Sequence, residues 1–232
     1  MGLELYAKVE PYLEFEDEVI QLHKEFLSII FQKDLDNILD VGCGQGAFLN
    51  HLKANAKTAV GIDLSVEQIK VCQSFNLDAK AIALNEIKET YDCLTAIFDV
   101  INYIPKQELS SFFKDAFCSL NSNGYFIFDV NSLFGFEEIA QGSLNINNKD
   151  NFIAIDAIFE DEKLKTDITF FSKDQKNLYK KEQDRVTQYY HETKVLKQKL
   201  NNAGFDIEKI INFNLHTDDE ADKLIFICKK NK

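Results

Sequence analysis

From Phe15 to Ile30 the apolar residues Phe15, Val19, Leu22, Phe26, Ile29 and Ile30 recur at three- and four-residue intervals. That spacing predicts an amphipathic helix over 15–31. Short apolar or β-branched runs then alternate with helical stretches. The strand-like runs are Asn37–Val41, Thr58–Asp63, Lys80–Leu84, Cys93–Phe98 and Tyr125–Val130. Helical patterns fall near 47–56, 65–76 and 107–120, and Ser65-Val66-Glu67-Gln68 reads as a capping box opening the second of them. Strand–helix alternation implies right-handed crossovers and a parallel sheet covered on both faces.

The rhythm changes after Asn131. Residues 133–150 read as a loop with a short helix. Three strand-like runs follow, 151–160, 163–172 and 177–190, joined by the short polar connections Asp161-Glu162 and Asp174-Gln175-Lys176. These predict an antiparallel meander. Thr193–Asn202 is helical again, with Gly204 placed to cap its end. Ile207–Phe213 and Leu224–Cys228 close the pattern as two strands. The expectation is one α/β domain over 1–232, interrupted by a small antiparallel insert at 133–190.

Composition changes this picture little: of 232 residues, 45% are hydrophobic and 28% charged. The net charge of −12 argues against a domain built to grip phosphate backbones. No apolar run reaches the length of a membrane span, and the acidic N-terminal stretch is unlike a signal peptide. The five cysteines are scattered, with no CxxC or Cys/His cluster. Neither a metal site nor a disulfide framework is expected, and the reading is a cytoplasmic protein with reduced thiols.

The candidate chemistry sits at ILDVGCGQG, residues 38–46. Ligands of open α/β sheets bind beyond the C-terminal strand ends, and this is the end of the first strand. Glycine is needed where the chain turns tightly or lets a ligand touch its backbone. Gly42, Gly44 and Ala47 fit a dinucleotide fingerprint, with Asp63 about twenty residues on for the ribose hydroxyls. Asp40, Gly42, Gly44 and Gly46 also match an acid followed by G-x-G-x-G. That arrangement resembles the first motif of class I S-adenosylmethionine-dependent methyltransferases. The latter reading is favoured because dehydrogenase first strands are usually apolar at the position of Asp40. An acid also suits a cofactor that carries an ammonium group and no pyrophosphate.

The resemblance continues along the chain. Val60–Ser65 looks like the second motif, whose acid, here Asp63, accepts from both ribose hydroxyls. Tyr91-Asp92-Cys93, Ala96–Ile104 (AIFDVINYI), Asn123–Ser132 (NGYFIFDVNS) and Ala203-Gly204-Phe205 resemble later family segments in the same order. Asp167–Phe171 and the run Glu182–Tyr190 look like the insert strands of a small-molecule subgroup that includes sugar N,N-dimethyltransferases. What this implies is a Rossmann-like, doubly wound α/β sheet, mostly parallel with an antiparallel last strand, plus the antiparallel β insert. It implies S-adenosyl-L-methionine as cofactor and S-adenosyl-L-homocysteine as product. The cofactor-binding residues implied are Asp40, Gly42, Cys43, Gly44, Gly46, Asp63, Leu64, Asn85, Glu86 and Phe98. Two departures stand out. The family acid that reaches the adenine amino group is replaced by Asn85-Glu86, and a His often found after the insert's Glu is Asp184 here.

Methyl transfer from a sulfonium needs alignment and exclusion of water, and a base only when the acceptor arrives protonated. Candidate catalytic residues are Tyr6, Asn102, Asn131 and His191, and candidate acceptor contacts are Tyr12, Tyr103, Tyr189 and Tyr190. Packing accounts for the tyrosines equally well, and a capping or surface role for His191. The leading expectation is O- or N-methylation of a small-molecule acceptor. An RNA or protein methyltransferase is the alternative, kept alive by Lys163, Lys165, Lys173, Lys176, Lys180 and Lys181 on the insert. A non-catalytic cofactor-binding subunit is a third reading, and a dinucleotide oxidoreductase ranks last.

Overall fold

The computed structural model describes residues 2–174 and 176–231; Gln175, in the second expected connection of the meander, lies outside them. The chain opens with helix α1 (Leu3–Val9), a 3-10 turn (Glu10–Tyr12) and helix α2 (Glu16–Gln32). Strand β1 (Asn37–Val41), α3 (Ala47–Ala54), β2 (Thr58–Ile62), α4 (Val66–Ser74), β3 (Ala79–Lys80) and β4 (Tyr91–Ala96) follow. Then come α5 (Leu109–Cys118) and β5 (Leu120–Asn131), a π-helical turn (Gly135–Ile139), and strands β6 (Gly142–Asn147), β7 (Asn151–Glu160), β8 (Lys163–Lys173) and β9 (Tyr179–Tyr189). Helix α6 (Thr193–Ala203) and strands β10 (Phe205–Phe213) and β11 (Lys223–Lys230) complete it.

Seven strands form one sheet in the order β10-β11-β5-β4-β1-β2-β3. Those from β5 to β3 run parallel. The last strand, β11, runs antiparallel to both β5 and β10, as expected. Helices α2, α3 and α4 cover one face through Leu22, Phe26, Leu49 and Ile69; α5 and α6 cover the other through Phe113, Leu196 and Leu200. Each such apolar side chain contributes about 1.5–3 kcal/mol on burial. Among the described residues no helix is long and apolar enough to cross a membrane.

The second sheet, β6-β7-β8-β9, is antiparallel throughout and arises between β5 and α6. One face carries Ile153, Ile168, Phe170 and Val186, packed against Leu5 and Val9 of α1. The residues read as loop before Asn151 include β6. It is an edge strand, exposed at five of its six positions; Leu144 and Ile146 alternate with polar residues, but only Ile146 packs against the core. The third strand, expected over 80–84, is only Ala79–Lys80 at the opposite sheet edge, followed by a 3-10 turn at Leu84–Glu86. The capping box at Ser65 is half formed. Ser65 Oγ accepts from Gln68 N at 3.2 Å, but Ser65 N already donates to Asp63 Oδ1 at 2.8 Å, leaving the Gln68 side chain free to turn elsewhere.

Candidate functional site

Strands β1 and β2 end side by side, and Gly42 N and Cys43 N both donate to Ile62 O, at 2.8 and 3.0 Å. This pins the turn that follows β1. Gly42, Gly44 and Gly46 all adopt positive φ (71°, 53° and 84°), which side chains rarely tolerate. Space also constrains two of them. A Cβ on Gly42 would stand 2.6 Å from Val100, and one on Gly46 2.5 Å from Leu77. A Cβ on Gly44 would meet nothing within 4 Å, so the middle glycine keeps an open face of backbone. Cys43 is buried behind the turn.

Asp63, just past β2, accepts from Gly44 N (3.0 Å) and Ser65 N (2.8 Å). Burial raises its pKa, and these backbone donors oppose the rise. Asp40 is fully buried beneath the turn, its Oδ1 accepting from Thr95 Oγ1 at 2.7 Å, and burial lifts its pKa to about 7. Leu64 is exposed beside Asp63. Of the two residues at the adenine position, Glu86 spends its carboxylate on Ala83 N at 2.9 Å, while Asn85 stands exposed on the same turn.

The N-terminal segment crosses this turn. Gln45 Nε2 donates to Ala7 O (3.2 Å) and to Glu10 Oε2 (3.4 Å), and Gln68 Nε2 donates to the same carboxylate at 3.0 Å. Burial, then the neighbouring charge of Asp63, raises the pKa of Glu10 while the two amides lower it. Tyr6, Tyr12 and Tyr103 pack together with α1 against the inner face of the second sheet. Tyr12 Oη accepts from Asn151 Nδ2 at 2.9 Å, which ties it to β7. Burial raises the Tyr6 hydroxyl pKa, with the charges of Glu10 and Asp99 adding to the effect.

The other wall is the turn after β4. Phe98 and Asp99 both adopt positive φ (61° and 65°), an uncommon pair of left-handed residues without glycine. Asp129 of β5 holds them: its carboxylate accepts from Phe98 N at 2.8 Å and Asp99 N at 3.3 Å. Lys223, buried at the start of β11, donates to Asp99, to Asp129 at 3.1 Å and to Asn131 Oδ1 at 3.1 Å. Burial acts to lower the Lys223 pKa, but the two carboxylates outweigh it and the ammonium is held well above its usual range. Asn131 Nδ2 donates to Asp99 Oδ2 at 3.0 Å. Asn102 is fully buried; it accepts from Asn131 N at 3.0 Å and donates to Tyr189 O at 2.9 Å, joining β5 to the end of the insert.

Asn131, Tyr190 and His191 come together on a cavity of about 260 Å³ lined also by Ser132, Thr193 and Asn212. His191 Nε2 lies 3.1 Å from Ile101 O; because a carbonyl only accepts, that nitrogen carries the proton and Nδ1 keeps the lone pair. Nδ1 is buried and has no hydrogen-bond partner among the described residues, and burial lowers the ring pKa to about 4. Tyr190 packs edge-on to Phe136 at 6.1 Å. The sites built from Tyr6, Tyr12 and Tyr103 and from Asn131, Tyr190 and His191 are thus separate groups, joined through Asn102 and Asn131.

Glu10, Gln68, Asp99, Asp129 and Lys223 escaped the sequence reading. An acid inside the buried run Phe126–Val130 is a signal that a partner must exist, but Lys223 lies 94 residues away. The charges at the turn are acids: Asp40, Asp63 and Glu10. A pyrophosphate would be repelled there, whereas a ligand with ribose hydroxyls and positive charge fits both the carboxylates and the open backbone of Gly44.

Comparison with known proteins agrees. Residues 12–210 match the family described as a methyltransferase domain. A protein of Geobacillus sp. named as a methyltransferase is 24% identical over 208 residues, covering 83% of this chain and 84% of its own. The fold is shared with an S-adenosylmethionine-dependent methyltransferase from Clostridium acetobutylicum (TM-score 0.79, 20% identity, 99% and 98% of the two chains). It is shared also with the sugar N-methyltransferase KedS8 from Streptoalloteichus sp. (TM-score 0.76, 13% identity, 99% and 93%). With the glycine turn, its acid at the second strand end and a sheet of this order in one chain, the protein belongs to the methyltransferase-domain family and is an S-adenosylmethionine-dependent methyltransferase.

Proposed function

We propose that this methyltransferase acts on a small-molecule acceptor, at oxygen or nitrogen, beneath the antiparallel insert 133–190, which serves as a lid on the acceptor side. The observation that carries this is the small cavity of about 260 Å³ on Asn131, Tyr190 and His191, at the point where the insert rejoins the main sheet, mixed polar and apolar in its lining. It is a concave site of the scale of a small ligand, just under the usual range of about 300–1,000 Å³. The cofactor supplies an electrophilic methyl group, and the chain's own task is to orient the acceptor and shed water. Asp63 binds the ribose and Gly44 presents backbone to the cofactor. Asn102 and Asn131 position the two strand ends, and His191, kept neutral by burial, lines the cavity beside them.

The net charge of −12 supports the same reading, because a domain that grips a nucleic-acid backbone normally presents a basic face. Among the fold neighbours, KedS8 is a sugar N-methyltransferase and CalS10 from Micromonospora echinaspora is an amino pentose methyltransferase. The test is transfer of tritiated methyl from S-adenosylmethionine into a cell extract separated into small molecules, RNA and protein. Label is expected in the small-molecule fraction. Label confined to RNA or protein would overturn the proposal.

A further inference from the structure

We infer that Glu10 makes the cofactor cleft discriminate by charge, favouring the positively charged methyl donor over its neutral-sulfur product. The inference rests on the cofactor alone and does not depend on which acceptor is methylated.

Glu10 lies on the 3-10 turn after α1, where its carboxylate reaches two sides of the cofactor turn. Gln45, between Gly44 and Gly46, and Gln68, in the first turn of α4, donate to one of its oxygens at 3.4 and 3.0 Å. These donors favour the ionised form. The carboxylate stands close enough to Asp63 to feel its charge, and on its other side to Tyr6 and Tyr103. Lys223, the buried cation of the opposite wall, is engaged by Asp99, Asp129 and Asn131. Glu10 and Asp63 are therefore two half-buried carboxylates near one another, and among the described residues no cation offsets either. A neutral amide at position 10 would tie Gln45 equally well without that repulsion. The carboxylate gains its use when a positive ligand arrives. Gln68 Oε1, buried and without a partner among the described residues, adds a further negative dipole on the same side.

The reaction changes the charge that these groups see. The acceptor's lone pair forms the new bond to the methyl carbon, and the electron pair of the broken carbon–sulfur bond stays on sulfur. The sulfonium becomes a thioether, and the positive charge leaves with the acceptor or as its proton. The ligand falls from a net charge of about +1 to about 0 at neutral pH. By Coulomb's law, losing one of two opposite unit charges about 8 Å apart changes an affinity ratio about 2- to 30-fold, for effective dielectric constants between about 80 and 20. Glu10 is half-buried, which places it inside that range.

The test is titration calorimetry of wild type and Glu10→Gln with S-adenosylmethionine and, separately, S-adenosylhomocysteine. In Glu10→Gln the donor is expected to bind about 3- to 10-fold more weakly, while the product stays within about twofold of wild type. Glu10→Asp, which keeps the charge, should retain most of the wild-type ratio. Equal weakening of both ligands in Glu10→Gln would make Glu10 a strap only and overturn the inference. An unchanged ratio, or the same shift in Glu10→Asp as in Glu10→Gln, would overturn it too. Melting curves of each variant show that the comparison is made on folded protein.

Discussion

Lys223→Met removes the cation that three acceptors share. Asp99, Asp129 and Asn131 all receive hydrogen bonds from the ammonium, and Asp129 and Lys223 are both almost wholly buried. Each charge-assisted bond is worth about 1.5–3 kcal/mol, but the ammonium regains its hydration on removal and Met is nearly the same shape. Breaking a buried pair from one side typically costs about 3–5 kcal/mol, and that is the loss expected at pH 8. The loss should depend on pH. In wild type, burial and then the charge of Asp99 raise the Asp129 pKa while Lys223 pulls it down. Without Lys223 it rises further. A group whose folded pKa is raised contributes stability that is full below its unfolded value, about 3.9, and lost as pH climbs through the folded value. The variant should therefore recover part of its deficit between pH 8 and pH 5.5, as Asp129 takes up a proton and donates in place of the ammonium. Urea denaturation of wild type and variant at both pH values measures this. A deficit below about 1 kcal/mol at pH 8, or one of equal size at both pH values, would refute the reading that Lys223 holds the turn after β4 by charge.

Asp63→Ala should weaken S-adenosylhomocysteine binding by about 1.5–3 kcal/mol, the scale for hydrogen bonds to a charged group, with the fold retained; wild-type affinity by calorimetry would remove Asp63 from the site. Asp40→Asn should stabilise the free protein above pH 7. Burial lifts Asp40 to about 7, so its contribution is full below about pH 4 and lost on the way up, at about 1.4 kcal/mol for each tenfold difference in proton affinity between folded and unfolded chain, while an Asn oxygen still accepts from Thr95. A variant melting below wild type at pH 8 would contradict this. Tyr190→Ala and His191→Ala should cut methyl transfer to a small acceptor while S-adenosylhomocysteine affinity stays within about twofold. Variants that only lose melting temperature, with unaltered turnover per folded molecule, would show packing and capping roles instead.

The parts that local sequence determines were readable one residue at a time. Period-two and period-3.6 patterning, broken by glycine, set the order of strands and helices, because each element must bury one face and the pattern records which. The turn at Gly42, Gly44 and Gly46 and the acid at Asp63 were legible for a related reason. A backbone that must turn with positive φ and leave one face open excludes side chains, and adjacent strand ends bring residues about twenty apart into contact. What lacked a local signature was decided only by the tertiary structure. Strand β6 is short, has only Leu144 and Ile146 as apolar residues and buries neither fully, so its own residues mark it weakly; pairing with β7 fixes it. Helix α1 is placed by contacts with the insert on one side and with Gln45 on the other. The walls of the cleft depend on charges far apart in sequence: Glu10 with Gln68, and Lys223 with Asp99 and Asp129. Each of these groups is an ordinary charged or polar residue in its own segment. A buried charge is stable only when a partner arrives from another element, so its role exists in the folded sheet and not in the run of residues around it.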